Sequence, residues 1–422
     1  MVQFSSESDI LQWNMANSNL TNAKKAKNDE FYTQYGDIQK EIEAYLDYNP
    51  NVFRGKVVYC NCDDPFESNF FRYFVLNFNK LGLKQLITTS YKPSPVANTQ
   101  LGLFGDDKTL AKSKGRPKIT ANKFIINEVN DIDGDGEFNL KDIALQLKVN
   151  KHNEWAPLED DGDFKSPECV ELLKQSDIVV TNPPFSLFRE YVKQLFEYGK
   201  KFVIIGTMNA ITYKEIFPLI KVNNLWLGAT GNGNDMVFAV PNGAEIAESD
   251  RQKAARLGYV GNYTRLGNSC WFTNLDHGRR HKPLPLMTME ENLKYSKHKE
   301  IKGKKAYEKF DNFDAIEVPF TDAIPSDYGD VMGVPKSFLD KYNPDQFEIL
   351  GYDKSIDLRT KVYPKQQQID KDGKKSSVTK LNDGGAIKVS TKPVDMTYYM
   401  VDNEYYIQAF SRIFIKHKKQ SK

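Results

Sequence analysis

Asp177-Ile178-Val179-Val180-Thr181-Asn182-Pro183-Pro184-Phe185 carries a β-branched run into Asn-Pro-Pro-aromatic, and an amphipathic pattern starts directly afterwards. A short continuous run of this kind suits a strand covered on both faces. From Ser186 to Tyr198, Leu187, Phe188, Tyr191, Val192, Leu195 and Phe196 fall on one helical stripe. Glu190, Lys193 and Gln194 lie outside it, as on a helix with one buried face. Lys56–Cys60, Gln85–Ser90 and Lys201–Gly206 repeat the strand pattern. Strand alternating with helix predicts an α/β domain built on a mostly parallel sheet. After Trp271 the pattern breaks into short alternating pieces, Tyr405–Phe410 and Arg412–Ile415 among them, which predict a smaller strand-rich region. We therefore expect one domain over residues 1–275 and a second over 276–422.

The Asn-Pro-Pro-Phe turn has chemical content. Loops at the carboxyl ends of parallel strands are where open α/β sheets bind ligands. Two prolines fix φ and remove backbone donors, so the Asn182 amide and the Pro183 carbonyl can both point into a cleft. Together they offer two acceptors about one amino group wide, held stiff by Pro184, with Phe185 as a flat surface. An exocyclic ring amine is a poor nucleophile because its lone pair is delocalised. Accepting hydrogen bonds from both of its N–H groups localises that lone pair towards an incoming methyl group. Such a reaction needs no strong base and no covalent intermediate. A proline-stiffened turn with no chemistry would use the same dipeptide, so the flanking strand, aromatic and helix carry the argument.

A methyl donor needs its own site upstream. Asn61-Cys62-Asp63-Asp64-Pro65-Phe66-Glu67-Ser68-Asn69-Phe70 resembles the Asp-Pro-Phe-x-Gly-x-Gly loop with which amino-methyltransferases hold S-adenosylmethionine, with Ser68 and Phe70 in the glycine positions. Glycines allow positive φ and close approach to a ligand, so this loop must follow a different path. Phe31-Tyr32-Thr33 is similar to the element that packs over the cofactor's methionine end, and Asp163-Phe164 to the loop that meets its adenine. An acidic ribose ligand is missing after the second strand, where Thr88-Thr89-Ser90-Tyr91 stands.

These segments, with Gly206–Ile216 and Asn268–His277, resemble the EcoRI-type adenine-specific DNA methyltransferases over roughly residues 25 to 350. The resemblance implies a Rossmann-like catalytic domain and methyl transfer from S-adenosylmethionine to adenine N6 in double-stranded DNA, and it leaves open whether a cognate restriction endonuclease is a partner. On that reading Asn182, Pro183, Pro184 and Phe185 serve catalysis. Phe31, Tyr32, Thr33, Asp64, Pro65, Phe66, Ser68, Asn69, Asp163 and Phe164 hold the cofactor. The same Asn-Pro-Pro-aromatic signature also occurs in enzymes that methylate ribosomal RNA or protein glutamine. The altered cofactor loop also fits an inactive DNA-binding module.

Charge is consistent with a DNA partner only when read locally. Across 422 residues, 58 Lys and Arg against 56 Asp and Glu leave +2. Residues 128–177 hold 14 acidic and 5 basic side chains, whereas 279–305 hold 9 basic and 3 acidic, and 359–422 hold 14 and 6. The basic third is the expected DNA-recognition region, with Arg279, Arg280, His281 and Lys282, beside His277, as candidate phosphate contacts. Trp271 reads as a core residue or as a stacking surface for the flipped base. Asp131, Asp133, Asp135, Glu137 and Asp142 fit a calcium loop, with Asp in place of the usual Glu at the last position. We expect at most a structural Ca²⁺ there; a solvated acidic turn has the same composition. Cys60 and Cys62 read as strand-end packing, since no other Cys/His pair has zinc spacing. No run approaches the roughly 20 apolar residues of a membrane span, and no signal peptide is evident, so a cytoplasmic enzyme is expected.

Overall fold

The computed structural model describes residues 32–62, 68–91, 121–132, 142, 152–230, 236–240 and 246–418. These fall into two compact units. The first holds the described residues up to Ile216 together with Leu225–Gly278, and the second holds Phe217–Asn224 and those from Arg279 onward. Among the described residues no helix is long and apolar enough to cross a membrane.

In chain order the first unit runs β1 (Tyr32–Thr33), α1 (Tyr35–Tyr48), β2 (Val57–Cys60), α2 (Asn69–Leu76), α3 (Phe78–Leu81) and β3 (Gln85–Thr89). It continues with β4 (Asn122–Ile126), β5 (Glu154–Pro157), α4 (Pro167–Gln175), β6 (Ile178–Thr181), α5 (Phe188–Glu197) and β7 (Lys201–Thr207). After the excursion at 217–224 come β8 (Trp226–Leu227), β9 (Met236–Ala239), a helix at Glu248–Arg256, β10 (Tyr263–Leu266) and β11 (Ser269–Thr273). Eight strands make one sheet in the order β5-β4-β3-β2-β6-β7-β11-β8. The four apolar runs of the sequence are its parallel centre: Val57 pairs with Gln85, Val58 with Ile178, and Val180 with Val203.

The flanks are antiparallel, so the sheet is mixed rather than mostly parallel: β4 pairs with β3 and β5, and β11 with β7 and β8. Burial shows why the centre was readable. All four residues of β2 and of β6 are buried, while β4 alternates and the edge strand β5 is largely exposed. The core packs Phe70, Phe71 and Phe74 of α2 and Ile38, Ile42 and Tyr45 of α1 against Val58, Val180 and Val203. The expected helix at 186–198 is a 3₁₀ turn at Phe185–Leu187 running into α5. Gln194, placed outside the stripe by its polarity, is buried and donates to Phe164 O at 3.0 Å.

The second unit is strand-rich. β12 (Ile316–Glu317), β13 (Met332–Pro335), β14 (Phe347–Tyr352) and β20 (Arg412–His417) form one sheet. A five-stranded antiparallel sheet holds β15 (Gln366–Ile369), β16 (Lys375–Val378), β17 (Ala386–Val389), β18 (Tyr398–Val401) and β19 (Glu404–Gln408). Phe310, Phe313 and Phe414 form one core cluster of this unit, and Tyr363, Tyr399 and Tyr406 another.

Candidate active site

β2 is flanked by β3 on one side and β6 on the other, so the chain order reverses between β2 and β6. Open sheets bind ligands outside the carboxyl ends of the strands at such a point. Asn61 leaves β2 there and Asn182 leaves β6. The two ends are locked together: Thr181 Oγ1 donates to Asn61 O, and the Tyr191 hydroxyl of α5 donates to Asn61 Oδ1. Asn61 is only 1% exposed, and Thr88 Oγ1 holds the neighbouring Cys60 O at 2.9 Å. Asn182 therefore stands one residue beyond a fixed point, half-buried, with Pro183 buried behind it. Pro184 O accepts from Leu187 N at 3.0 Å, which starts the 3₁₀ turn, and Phe185 is partly buried against the core. Nothing in the sequence singled out Asn61 or Tyr191, because a lone Asn after a strand has no periodic or motif signal.

The cofactor candidates meet the same edge. β1 pairs with β9, Tyr32 opposite Ala239 and Thr33 opposite Phe238. Asn69 Nδ2 donates to Thr33 O at 2.8 Å, which ties this strand to the start of α2 just beyond β2. Ser68, in a glycine position of the related loop, is the N-cap: its hydroxyl accepts from Phe70 N and Phe71 N, both at 3.1 Å. Phe70, in the other glycine position, is a core residue edge-on to Trp271. Phe31, Asp64, Pro65 and Phe66 lie outside the described residues.

Asp163 is brought to the carboxyl end of β3 by Gly162, whose φ is +81°. A Cβ at Gly162 would lie 1.9 Å from Ser90 O, so only glycine lets the two segments approach. Asp163 Oδ1 accepts from Lys165 N at 2.8 Å and the residue remains partly exposed. Phe164 is buried, its ring edge-on to Tyr191. Thr88, Thr89 and Ser90, standing where a ribose carboxylate is expected, are fully buried and turned to internal partners: Cys60 O, the Tyr59 hydroxyl and Asn122 N. One observation favours a polar ligand at this edge. Thr33 is 3% exposed, yet its Oγ1 has no hydrogen-bond partner among the described residues. A buried hydroxyl without a partner costs about 1–3 kcal/mol, which a ligand's polar group would offset.

His277 is buried, its Nε2 3.0 Å from Leu227 O and its ring edge-on to Tyr45, so it belongs to the first unit's interior rather than to a phosphate patch. Trp271 is likewise a core residue. Within the second unit, Arg279 is paired with Asp340. Arg280 is 7% exposed and donates to Asn223 Oδ1 at 2.5 Å. His281 and Lys282 are exposed on the same turn. Cys60, Cys169 and Cys270 are buried and Cys62 is partly exposed, and none of the four is in a disulfide. Asp133, Asp135 and Glu137 lie outside the described residues. Asp131 is exposed, while Asp142 is buried and accepts from Ile132 N at 2.9 Å, a turn-closing role. Among the described residues no group of three or more metal-ligating side chains is found.

Comparison with known proteins gives the family. Residues 19–418 match the family model described as adenine-specific methyltransferase EcoRI. The chain is 43% identical over 347 residues to the Type II methyltransferase M.EcoRI of Escherichia coli, covering 82% of this chain and 92% of that protein. It is 36% identical over 332 residues to M.MpnI of Mycoplasma pneumoniae, covering 78% and 83%, and 33% identical over 371 residues to M.MgeORF184P of Mycoplasma genitalium, covering 88% and 94%. No solved structure matches. The chain therefore belongs to the EcoRI family of adenine-specific methyltransferases.

Proposed function

We propose that the chain methylates adenine N6 at a defined sequence in double-stranded DNA, with the switch point between β2 and β6 as its active site. The reading rests on one observation above the others: Asn182 follows a strand end locked to Asn61, on the edge where Asn69 fixes Thr33. Bound S-adenosylmethionine supplies an electrophilic methyl group on a sulfonium. Tyr32, Thr33, Asn69 and Asp163 would hold it, together with Asp64, Pro65 and Phe66, in a Rossmann-like arrangement. The residues over 1–275 would form the catalytic domain, and those over 276–422 would bind the DNA. One adenine rotates out of the helix, at a cost of a few kcal/mol. The Asn182 side-chain oxygen and the Pro183 carbonyl accept the two N6 hydrogens and turn the nitrogen lone pair towards the methyl. Phe185 stacks on the base. Catalysis is then mostly positioning, with no protein nucleophile.

A restriction endonuclease of the same specificity completes the proposal, since the relatives' names place them among Type II methyltransferases. Calcium has no part in it. Asn182→Ala should abolish methylation while calorimetry shows S-adenosylmethionine binding within about threefold of wild type, because the lost acceptor serves the transition state. Wild-type turnover in that variant would remove Asn182 from the mechanism. Failure of the wild-type protein to bind the cofactor would favour the inactive DNA-binding module.

A further inference from the structure

Glu41 lies in the middle of α1, fully buried in a predominantly apolar core. Its carboxylate is saturated by donors from a distant segment and from its own helix. Oε1 accepts from Ala229 N at 2.7 Å and from the Tyr45 hydroxyl at 2.9 Å. Oε2 accepts from Thr230 N at 2.8 Å and from Thr230 Oγ1 at 2.5 Å. The contact is close enough to demand glycine next door: a Cβ on Gly228 would come within 2.3 Å of Glu41 Oε1 and 2.4 Å of Trp271 Cβ. Two backbone N–H groups and two hydroxyls meet its two oxygens, and the N–H groups of Ala229 and Thr230 each require an acceptor on a different one. Burial pushes its pKa up, and the bonds from Thr230, Ala229 and Tyr45 act against that push.

The connectivity gives the contact a purpose. β8 runs antiparallel to β11, which runs antiparallel to β7, so Leu227 emerges at the same carboxyl edge as Asn182. Thr230 follows three residues later, and β9 begins at Met236. β9 is the strand that pairs with Tyr32 and Thr33, and α1 starts two residues after Thr33. The path from Thr33 through α1 to Glu41, across to Thr230 and on through β9 back to Thr33 is a closed ring. One carboxylate closes it.

We propose that Glu41 is a positioning residue for the methyl-donor site, its carboxyl group closing the ring that holds Thr33, whose hydroxyl has no partner among the described residues, at the carboxyl edge. The inference rests on the reading of that edge as the S-adenosylmethionine site. A Glu41→Gln amide turns a donor towards the Thr230 or Ala229 donors, which opens the ring without emptying the core. The test measures cofactor Kd by calorimetry, kcat and KM for cofactor and DNA, and thermal unfolding, in Glu41→Gln and Thr230→Val. The expected result for Glu41→Gln is a rise in cofactor Kd and KM of about tenfold or more, with kcat at saturating cofactor and KM for DNA within about threefold. Thr230→Val removes one donor and keeps the backbone ones, so it should shift cofactor affinity in the same direction by about threefold and carries the test if Glu41→Gln does not fold. Unchanged cofactor affinity in Thr230→Val and in any folded Glu41→Gln, with only Tm or kcat lowered, makes Glu41 merely structural and overturns the proposal. Absence of cofactor binding by the wild-type protein instead overturns the reading of the edge, and the inference with it.

Discussion

Gly162 shows how a single backbone atom shapes the site. Its positive φ alone would cost a side chain roughly 1–2 kcal/mol, and the 1.9 Å approach to Ser90 O adds a clash that only backbone movement relieves. Gly199 has φ +62° with nothing within 4 Å of an added Cβ, so it isolates the conformational part. Gly199→Ala should lower stability by about 1 kcal/mol. Gly162→Ala should cost at least about twice that and weaken cofactor binding as well, because Asp163 moves with it. Equal losses in urea unfolding, with cofactor binding unchanged in both, would contradict this account of Gly162. Asn182 was legible in the sequence because two prolines and an aromatic mark it. Asn61 and Tyr191 were not, since their role exists only once β2, β6 and α5 converge. Ser68 shows a limit of motif reading: the related loop has glycine there, and this chain uses the position for a helix cap.

The elements were legible where both faces are buried. β2, β3, β6 and β7 announce themselves as continuous apolar runs, whereas β4 and β5 carry Asn122, Lys123, Glu154 and Trp155 on exposed or half-exposed faces and leave no such run. Non-local pairing also hid the buried ion pair that joins β12 to β20. Arg412 Nε and Nη2 bond Glu317 Oε1 at 2.9 and 2.5 Å, with both side chains 8% exposed, across 95 residues of sequence. Burial raises the Glu317 pKa and Arg412 lowers it, so the charge depends on its partner. Removing that partner in Arg412→Met should destabilise the protein by about 3–5 kcal/mol, and the Glu317→Leu/Arg412→Met double variant by less. Urea unfolding of the three proteins checks this, and a double variant no more stable than Arg412→Met would contradict it.

For the whole molecule, a net charge of +2 conceals an acidic stretch and a basic C-terminal third. Arg279 and Arg280 are engaged within their unit, which leaves exposed cations such as Lys282 as the candidate DNA contacts of that run. Affinity for DNA should still drop about a hundredfold or more between roughly 50 and 200 mM salt, as expected when several phosphates are neutralised. A flat salt dependence in a fluorescence titration would count against the basic region as the DNA-binding surface. We propose that the locked strand end at Asn182 holds adenine N6 towards the methyl group of S-adenosylmethionine. Methylation-sensitive sequencing of DNA incubated with S-adenosylmethionine and either the wild-type protein or Asn182→Ala tests it most directly. N6-methyladenine at one short recurring sequence with the wild-type protein, and none with the variant, is the expected result. Methylation of another base, or equal adenine methylation by both proteins, would contradict it.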